Sequence, residues 1–492
     1  MQKKAERSRI NYPMLLKTMG WLVMIESAFM ILPVIIAIIY GDNDWLGFAI
    51  SAAITFIVGF TMTKGIRPSY SQMGRREGFL LTASVWVVFS LFGMIPFLIN
   101  LDDISVADAF FESMSGFTTT GATVLDSTHM IDHGMHLWRA LTQWIGGMGI
   151  ILFTLAVVPM LNSSGGMQMF NAEVTGITHD KVRPRISQTA KMLWLTYILL
   201  TLAAFVALWL GPMDWFDSLC HAFGAASTGG YSTFSNGING FNSPYIYAVL
   251  TIIMFLGGVN FSLIIRATTR GPKAFWQNEV FRIFVMSIAF VYIIFVIEIL
   301  IRHGYSDWQL LTLKPLFQIV SMFTSTGYTV TGFASWGPFI LGLMFVMMFI
   351  GGCAGSTSGG AKIDRVIFLV KYCRNEINRC IHPNSVTAVK LNGRVQPFTL
   401  VSKVIAFLCL FFVVIIVGTL LLLMFGQSPG HSFFSVFSCV SNSGISAGDA
   451  LYGNDFSALS EPSKCVLSFI MLIGRLELFT ILILLTGSFW KR

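Results

Sequence analysis

Ten long apolar runs dominate this sequence, and each approaches the length that a helix needs to cross a lipid bilayer. A transmembrane helix uses about 20 mostly apolar residues to cross a hydrocarbon core roughly 30 Å thick. The runs lie near residues 18–40, 46–63, 79–99, 137–161, 192–211, 245–265, 282–301, 337–352, 402–425 and 465–489. They predict an all-α polytopic membrane protein.

The composition agrees with a membrane location. Only 11% of the 492 residues are charged and 54% are hydrophobic, whereas a soluble domain carries about 25% charged residues. The seven cysteines form no CxxC pair, which argues against a disulfide framework or a zinc site. No nucleophile, base and orienting residue stand together as a catalytic set, so the sequence does not predict an enzyme. A cytosolic enzyme, a nucleic-acid-binding protein and a disordered scaffold are excluded.

Lysine and arginine residues concentrate on one side of the predicted spans, which holds 27 of the 32. By the positive-inside rule this side is the cytoplasm, and both termini lie there. A basic cytoplasmic face accounts for the net charge of +8 without a nucleic-acid partner. The opposite face is acidic and would concentrate cations at an entrance. The alternative is that these acidic residues belong to ordinary solvated loops.

Four outward-facing segments share one pattern, a short apolar stretch followed by a cluster of small residues around glycine. The clusters are Thr119, Thr120 and Gly121; Ser227, Thr228 and Gly229; Ser325, Thr326 and Gly327; and Asn442, Ser443 and Gly444. Each apolar stretch is too short to cross the membrane, and each cluster lies between two spans. Repeats of this kind determine architecture. The predicted units are residues 71–165, 166–272, 273–380 and 381–492, with an additional transmembrane helix pair in 1–70.

The repeated clusters indicate a pore. Backbone without helical hydrogen bonds is tolerated at membrane depth only inside protein or beside water. Glycine permits close approach and positive φ, and serine or threonine hydroxyls add oxygen ligands. Rings of backbone carbonyls can replace the hydration shell of an alkali cation. We therefore expect four span, pore-helix, filter and span repeats around one central cation pore, a pseudo-fourfold arrangement within a single chain.

These motifs resemble the Trk/Ktr/HKT superfamily of potassium transporters, and most closely its bacterial TrkH-type uptake subunits. The motifs are SGFTTTGATV (115–124), QWIGGMGI (143–150), STGGYST (227–233), TSTGYT (324–329), GGCAGSTSGG (351–360) and GRLELFT (474–480). The resemblance covers nearly the whole chain and implies a filter glycine in each unit, at Gly121, Gly229, Gly327 and Gly444. Serine at the first of these goes with sodium preference in the family, so glycine at all four implies potassium.

A glycine-rich segment interrupts the second span of the third unit. Five of the twelve residues from Gly351 to Lys362 are glycine, and each costs a helix about 1 kcal/mol relative to alanine. An interrupted helix at depth must border a cavity, so the segment predicts a gate beneath the filter. The alternative is a passive hinge. A nucleotide-binding P-loop is excluded because Ala361 precedes Lys362 and no strand leads into the segment.

Arg475 lies alone in an apolar run, where a charge costs at least ~2.5 kcal/mol. It should therefore face the interior, and the carbonyls and hydroxyls of the glycine-rich segment are suitable partners. In the family the equivalent arginine raises an electrostatic barrier in the pore; the alternative is a structural clamp. The candidate gate residues are Gly351, Gly352, Gly355, Ser356, Thr357, Ser358, Gly359, Gly360, Lys362 and Arg475.

Two smaller features remain open at this stage. A metal site and a surface helix are both compatible with the spacing of Asp126, His129, Asp132, His133 and His136, and the surface helix is favoured because nothing else closes a coordination shell. Glu112, in the first half-helix, is expected to orient the filter, to attract ions or to make structural hydrogen bonds.

The resemblance also implies partners and a location. TrkH-type proteins form homodimers in the bacterial inner membrane and pair with a cytoplasmic nucleotide-binding ring of the TrkA type. NAD or ATP/ADP would bind that ring, whereas this chain would hold only the K⁺ that it transports. The alternative function is a Na⁺-permeable or Na⁺/H⁺-coupled K⁺ symporter on the same fold. The filter clusters contain no carboxylate to bind a coupling proton, which weighs against coupling.

Overall fold

The computed structural model describes residues 10–66, 74–125, 131–149, 186–235, 237–303, 311–330, 336–385, 388–446 and 455–490. These residues form helices almost throughout. Within them the strand structure consists of one hairpin, with β1 (Lys390–Leu391) antiparallel to β2 (Arg394–Val395). The all-α prediction is confirmed.

An N-terminal helix pair precedes the repeated part of the chain. Helix α1 (Tyr12–Tyr40) and helix α2 (Trp45–Gly65) pack along their length. Two glycines permit this close approach, because a Cβ built on Gly20 or Gly59 would lie 2.8 Å from the carbonyl oxygen of the other. The side chain of Asn11 begins α1 by accepting a hydrogen bond from the amide of Met14 at 3.2 Å.

Four units of similar construction follow. The first contains α3 (Arg75–Gly93), α4 (Ile95–Asn100), α5 (Val106–Phe117) and α6 (His133–Gly147). The second contains α7 (Ile186–Trp209), α8 (Trp215–Ser227), α9 (Pro244–Gly258) and α10 (Phe261–Arg270). The third contains α11 (Lys273–Gln277), α12 (Glu279–His303), α13 (Leu313–Phe323), α14 (Pro338–Ile350) and α15 (Ile363–Ile381). The fourth contains α16 (Phe398–Met424), α17 (Pro429–Val440), α18 (Glu461–Arg475), α19 (Phe479–Leu485) and α20 (Gly487–Trp490).

One short helix in each unit, α5, α8, α13 and α17 in turn, leads to a predicted glycine cluster, and these helices are 12, 13, 11 and 12 residues long. At 1.5 Å per residue they reach about 17–20 Å, well short of the hydrocarbon core. Side chains define where two of them begin: Ser105 accepts a hydrogen bond from the amide of Asp108, and Asp214 accepts one from the amide of Asp217. The predicted half-helices are thus present in all four units, which confirms the repeated architecture.

Six helical segments of the described residues are long and apolar enough to cross a membrane, or eight if two bent pairs each count as one span. Their outward side chains include Ile301, Phe290 and Ile39, which are 74%, 66% and 64% exposed. Large apolar side chains exposed around a helical bundle form the surface expected to face lipid. The chain is a membrane protein.

Two spans predicted as continuous are broken. The run 245–265 divides into α9 and α10, which meet at 100°, and the run 465–489 divides into α18 and α19, which meet at 116°. The first break occurs where Asn260 caps α10 by accepting hydrogen bonds from the amides of Ser262 (2.8 Å) and Leu263 (3.2 Å). The second follows Arg475, where Glu477 and Leu478 adopt positive φ angles of 51° and 56°. Of the run 137–161, residues beyond 149 lie outside the described part, and the predicted unit boundaries remain predictions.

Candidate functional site

Each half-helix ends at a short extended segment with the same backbone geometry in all four units. The segment contains one non-glycine residue in the left-handed region, with φ of 51° to 54°, at Thr119, Thr228, Ser325 and Asn442. Two residues later a glycine has φ of 66° to 84°, at Gly121, Gly230, Gly327 and Gly444. We call these four stretches the filter segments: residues 118–122, 227–231, 324–328 and 441–445.

The second filter segment is displaced by one residue from the predicted alignment. Gly230, and not Gly229, has the positive φ of the other filter glycines. The amide of Gly229 instead donates to the carbonyl of Gly224 at 2.8 Å, matching the bonds of Thr120, Thr326 and Ser443 to residues five positions earlier. Gly229 is therefore equivalent to Thr120, and the predicted placement of the filter glycine in this unit is wrong. The tyrosine that follows the filter glycine in both the second and third units, Tyr231 and Tyr328, is a sequence signal for the correct alignment.

The four filter segments close into a ring. A Cβ built on any filter glycine would clash with a carbonyl oxygen of the next unit. The glycine and carbonyl pairs are Gly121 with Gly229, Gly230 with Thr326, Gly327 with Ser443, and Gly444 with Thr120. The units thus follow one another cyclically and bring four backbone carbonyls together, all from the residue before a filter glycine. Rings of this kind can replace the water around an alkali cation.

In the first and third units, a polar side chain nine positions before the filter glycine hydrogen-bonds to residues that follow the filter segment. Glu112, fully buried, accepts hydrogen bonds from the amide of Val124 and the hydroxyl of Thr123, both at 3.1 Å. Arg139 pairs with the same carboxylate at 2.9 Å, and its guanidinium lies 4.2 Å from the centre of the Tyr231 ring. In the third unit Gln318 accepts from the amide of Val330 at 3.0 Å. Among the roles left open for Glu112, these contacts favour orientation of the filter.

The glycine-rich segment lies against the end of the filter at which the half-helices finish. The amide of Gly359 donates to the Ser325 hydroxyl, and the amide of Gly360 donates to the Ser441 carbonyl at 3.0 Å. The hydroxyl of Thr228 lies 3.2 Å from that of Thr357. This segment, residues 351–362, therefore contacts the filter segments of the second, third and fourth units. We call it the gate loop.

Arg475 joins the gate loop to the first unit. Its guanidinium donates to the carbonyl of Thr357 at 2.9 Å and to the carbonyls of Gly146 and Gly147 at 2.6 and 3.0 Å. The loop was predicted as its partner, but the end of α6 was not. The hydroxyls of Ser356 and Ser358, also predicted as partners, bond to each other at 2.7 Å.

Two further charged side chains of the gate region are buried. Lys362 is 4% exposed, and its ammonium group donates to the Ser358 carbonyl. Arg365 pairs with Glu477 and stacks 4.1 Å from the centre of the Phe407 ring. Arg365 and Glu477 lie 112 positions apart, so the spacing of residues in the sequence does not reveal this pair.

The predicted histidine cluster lies partly outside the described residues, which include neither Asp126 nor His129. His133 begins α6 and bonds through both its amide and its ring to Asp42, at 2.9 Å each. Asp44 accepts from the amide of Met135 at 2.9 Å, and burial together with the nearby carboxylates of Asp132 and Asp42 raises the pKa of Asp44 to about 6. Within the described residues no group of three or more potential ligands could hold a metal ion.

Comparison with known proteins places this geometry in context. Residues 43–492 match the family model TrkH, described as a cation transport protein. The Trk system potassium uptake protein TrkH of Escherichia coli K12 is 36% identical over 486 residues, covering 98% of this chain and all of the relative. The protein of that name from Halomonas elongata is 33% identical over 485 residues, covering 97% of this chain and 99% of the relative. The crystal structure of the potassium transporter TrkH from Vibrio parahaemolyticus superimposes with a TM-score of 0.88 at 33% identity, covering 98% of this chain and 100% of that one.

Proposed function

The chain belongs to the TrkH family of cation transport proteins, and on that premise we propose that it takes up potassium through a gated, channel-like pore. The observation that carries the proposal is the closed ring of four filter segments, in which each glycine lies against a carbonyl of the next unit. The chain is a transport protein and not an enzyme.

Selectivity is assigned to the ring. The four carbonyls of Thr120, Gly229, Thr326 and Ser443 replace water around the ion, and the half-helices end beside it with their partial negative charge toward the cation. Glycine occupies the filter position of every unit once the second is taken as Gly230. We assign preference for K⁺ over Na⁺ to this arrangement.

Gating is assigned to the gate loop and Arg475. The loop crosses the end of the filter, and Arg475 holds it while placing a positive charge beside the route of a cation. Lys362, buried at the end of the loop, adds a second positive charge. An open state requires the loop to leave Ser325 and Ser441 and Arg475 to release Thr357.

Control of the gate is assigned to a separate subunit. The relatives are named as proteins of the Trk system, and we propose that this chain forms a homodimer bound to a cytoplasmic TrkA-type ring that carries NAD or ATP/ADP. The protein would lie in the bacterial inner membrane with both termini in the cytoplasm, as the lysine and arginine distribution predicts.

Rb⁺ uptake into proteoliposomes tests the function. Purified protein should take up Rb⁺, K⁺ should compete, and Na⁺ should pass poorly, whereas Gly121→Ser should lower the discrimination. Equal passage of Na⁺ would overturn potassium selectivity. Uptake that depends on external pH or Na⁺ would favour the coupled symporter instead. A silent preparation is repeated with Arg475→Ala and with the partner ring, and silence in all of these would overturn the proposal.

A further inference from the structure

We propose that Gln143 is a positioning residue of the filter, and that its side-chain amide replaces in the second unit a support that the other three units build from hydroxyl groups. The inference rests on the proposed potassium function and adds a determinant of selectivity outside the filter segments.

In three units a pair of hydroxyls braces the residue that supplies the ring carbonyl. The Oγ1 atoms of Thr118 and Thr120 lie 2.8 Å apart, and those of Thr324 and Thr326 are also 2.8 Å apart. The corresponding serine hydroxyls of the fourth unit, Ser441 and Ser443, lie 3.2 Å apart. Each pair joins the first residue after a half-helix to the residue two positions later, whose carbonyl belongs to the ring.

The second unit cannot form this pair, because glycine stands at position 229. The space that a side chain would occupy there is filled by Gln143, which projects from α6 of the first unit. A Cβ built on Gly229 would lie 2.6 Å from Oε1 and 2.8 Å from Nε2 of Gln143. Gln143 is completely buried. Glycine at 229 and glutamine at 143 are therefore complementary in space.

The amide of Gln143 makes two hydrogen bonds on either side of the filter glycine Gly230. Nε2 donates to the Gly229 carbonyl at 2.7 Å, and Oε1 accepts from the Tyr231 amide at 3.2 Å. Because one partner is an acceptor and the other a donor, both bonds require the same orientation of the amide. Gln143 thus fixes the direction of one ring carbonyl and occupies part of its accepting capacity, which makes the second unit's oxygen different from the other three.

An exchange of supports tests this role. Three variants are compared with the unaltered protein by the ratio of Rb⁺ to Na⁺ uptake: Gln143→Ala, Gly229→Thr, and the two together. Gln143→Ala leaves the second segment without support, and Gly229→Thr forces a side chain into the space of Gln143. Each single variant should lower the ratio, by about tenfold if two ordinary hydrogen bonds are lost. The double variant removes Gln143 and places a hydroxyl two positions after Ser227, as in the other units, so its ratio should return toward the unaltered value.

The ratio separates positioning from a general role in stability. A structural role alone would lower expression and total flux of Gln143→Ala while leaving the ratio unchanged, and that result would overturn the proposal. If Gln143→Ala does not fold, the double variant carries the test: a restored ratio supports the proposal, and a lowered ratio overturns it. Gln396→Ala, at a partly exposed position directly after β2, is the matched control and should behave as the unaltered protein. Unaltered protein that passes Na⁺ as readily as Rb⁺ would overturn both this inference and the proposed function, whereas a selective unaltered protein with an equally selective Gln143→Ala would overturn this inference alone.

Discussion

At the scale of single residues, the ring of filter segments requires a glycine at one position in each unit. Each filter glycine combines a positive φ with contact against a neighbouring carbonyl, so a methyl group there would meet both a conformational and a steric barrier. Such a substitution would distort the ring, because the methyl group would displace the carbonyl oxygen that is proposed to bind the ion.

Gly230→Ala should impair selective uptake as severely as Gly121→Ala. Gly230 has φ of 83°, and a Cβ there would clash with the Thr326 carbonyl. We expect at least a tenfold fall in Rb⁺ uptake, because alanine in the left-handed conformation costs about 1–2 kcal/mol before the clash is counted. Gly342→Ala serves as the control, because space is open around that glycine in α14. Normal selectivity in Gly230→Ala would contradict the corrected alignment of the second unit.

Arg475→Ala should increase ion flux in the absence of any partner. The substitution removes a positive charge and the hydrogen bonds to the carbonyls of Thr357, Gly146 and Gly147, the last two of which connect the fourth unit to the end of α6. We expect about a tenfold rise in Rb⁺ uptake, corresponding to roughly 1.4 kcal/mol of barrier. Arg302→Ala, on α12 and paired with Glu298, should leave uptake unchanged. Unchanged or reduced flux in folded Arg475→Ala would favour the structural clamp.

The residue scale also shows where sequence reasoning stops. The four clusters and Arg475 were predictable, because repeated glycines and a lone charge in an apolar run have few explanations. The displacement at Gly229 was not recognised, since two consecutive glycines satisfy the same local pattern. Gln143 was visible only as part of a motif, and its contact with Gly229 depends on how two units pack.

At the scale of helices, the region around the proposed gate is built from interrupted elements in three units. The sequence predicts the break between α14 and α15, because five glycines among twelve residues disfavour a helix there. The other two breaks depend on one capping side chain, Asn260, and on two residues with positive φ, Glu477 and Leu478. Neither has a strong local signature, and the apolar runs continue through both. The Asn260 side chain also donates to the Ala354 carbonyl at 2.6 Å, so this break is held by the gate loop itself.

Breaking the Arg365–Glu477 pair should destabilise the packing of α15 against the break between α18 and α19. The two side chains are 10% and 12% exposed, so removal of one charge leaves the other largely buried. Glu477→Gln should lower the thermal unfolding midpoint in detergent, with a loss of about 1–3 kcal/mol. Glu376→Gln is the matched control, because its partner Arg379 forms a surface pair with side chains about 40% exposed. Equal midpoints for the two variants would show that the buried pair contributes no more than the surface one.

At the scale of the whole molecule, the additional helix pair contacts the first and second units at the turn between α1 and α2. Asp42 and Asp44, in the turn between α1 and α2, accept hydrogen bonds from the first amides of α6 and so cap a helix 91 positions away. Tyr40 stacks on His133 at 3.8 Å and on Trp215 of α8 at 5.8 Å. Apolar runs and charge predict a polytopic membrane protein and the side that faces the cytoplasm, but they do not predict this junction, because it joins parts of the chain that share no local pattern.

Asp44 gives this junction a pH dependence that can be measured. Its pKa is raised from 3.8 to about 6 by burial and by Asp132 and Asp42, so the folded state binds more protons than the unfolded state between these values. Stability should therefore increase as pH falls from about 6 to about 4, and that contribution is lost as pH rises through 6. Asp44→Asn keeps an oxygen for the Met135 amide without a charge.

The Asp44→Asn variant should unfold at a higher temperature than the unaltered protein at pH 7.5, by the equivalent of about 3 kcal/mol. The difference should shrink toward pH 4.5, where the native carboxyl is itself protonated. Thermal unfolding in detergent across this range is the measurement, with Asp102→Asn, an exposed loop residue, as the control for a general loss of acidic charge. If Asp44→Asn and the unaltered protein show the same slope between pH 4.5 and 7.5, then Asp44 does not couple the helix pair to pH. A lower midpoint for Asp44→Asn at pH 7.5 would instead mean that the ionised carboxylate is the better cap for α6, reversing the sign of the dependence.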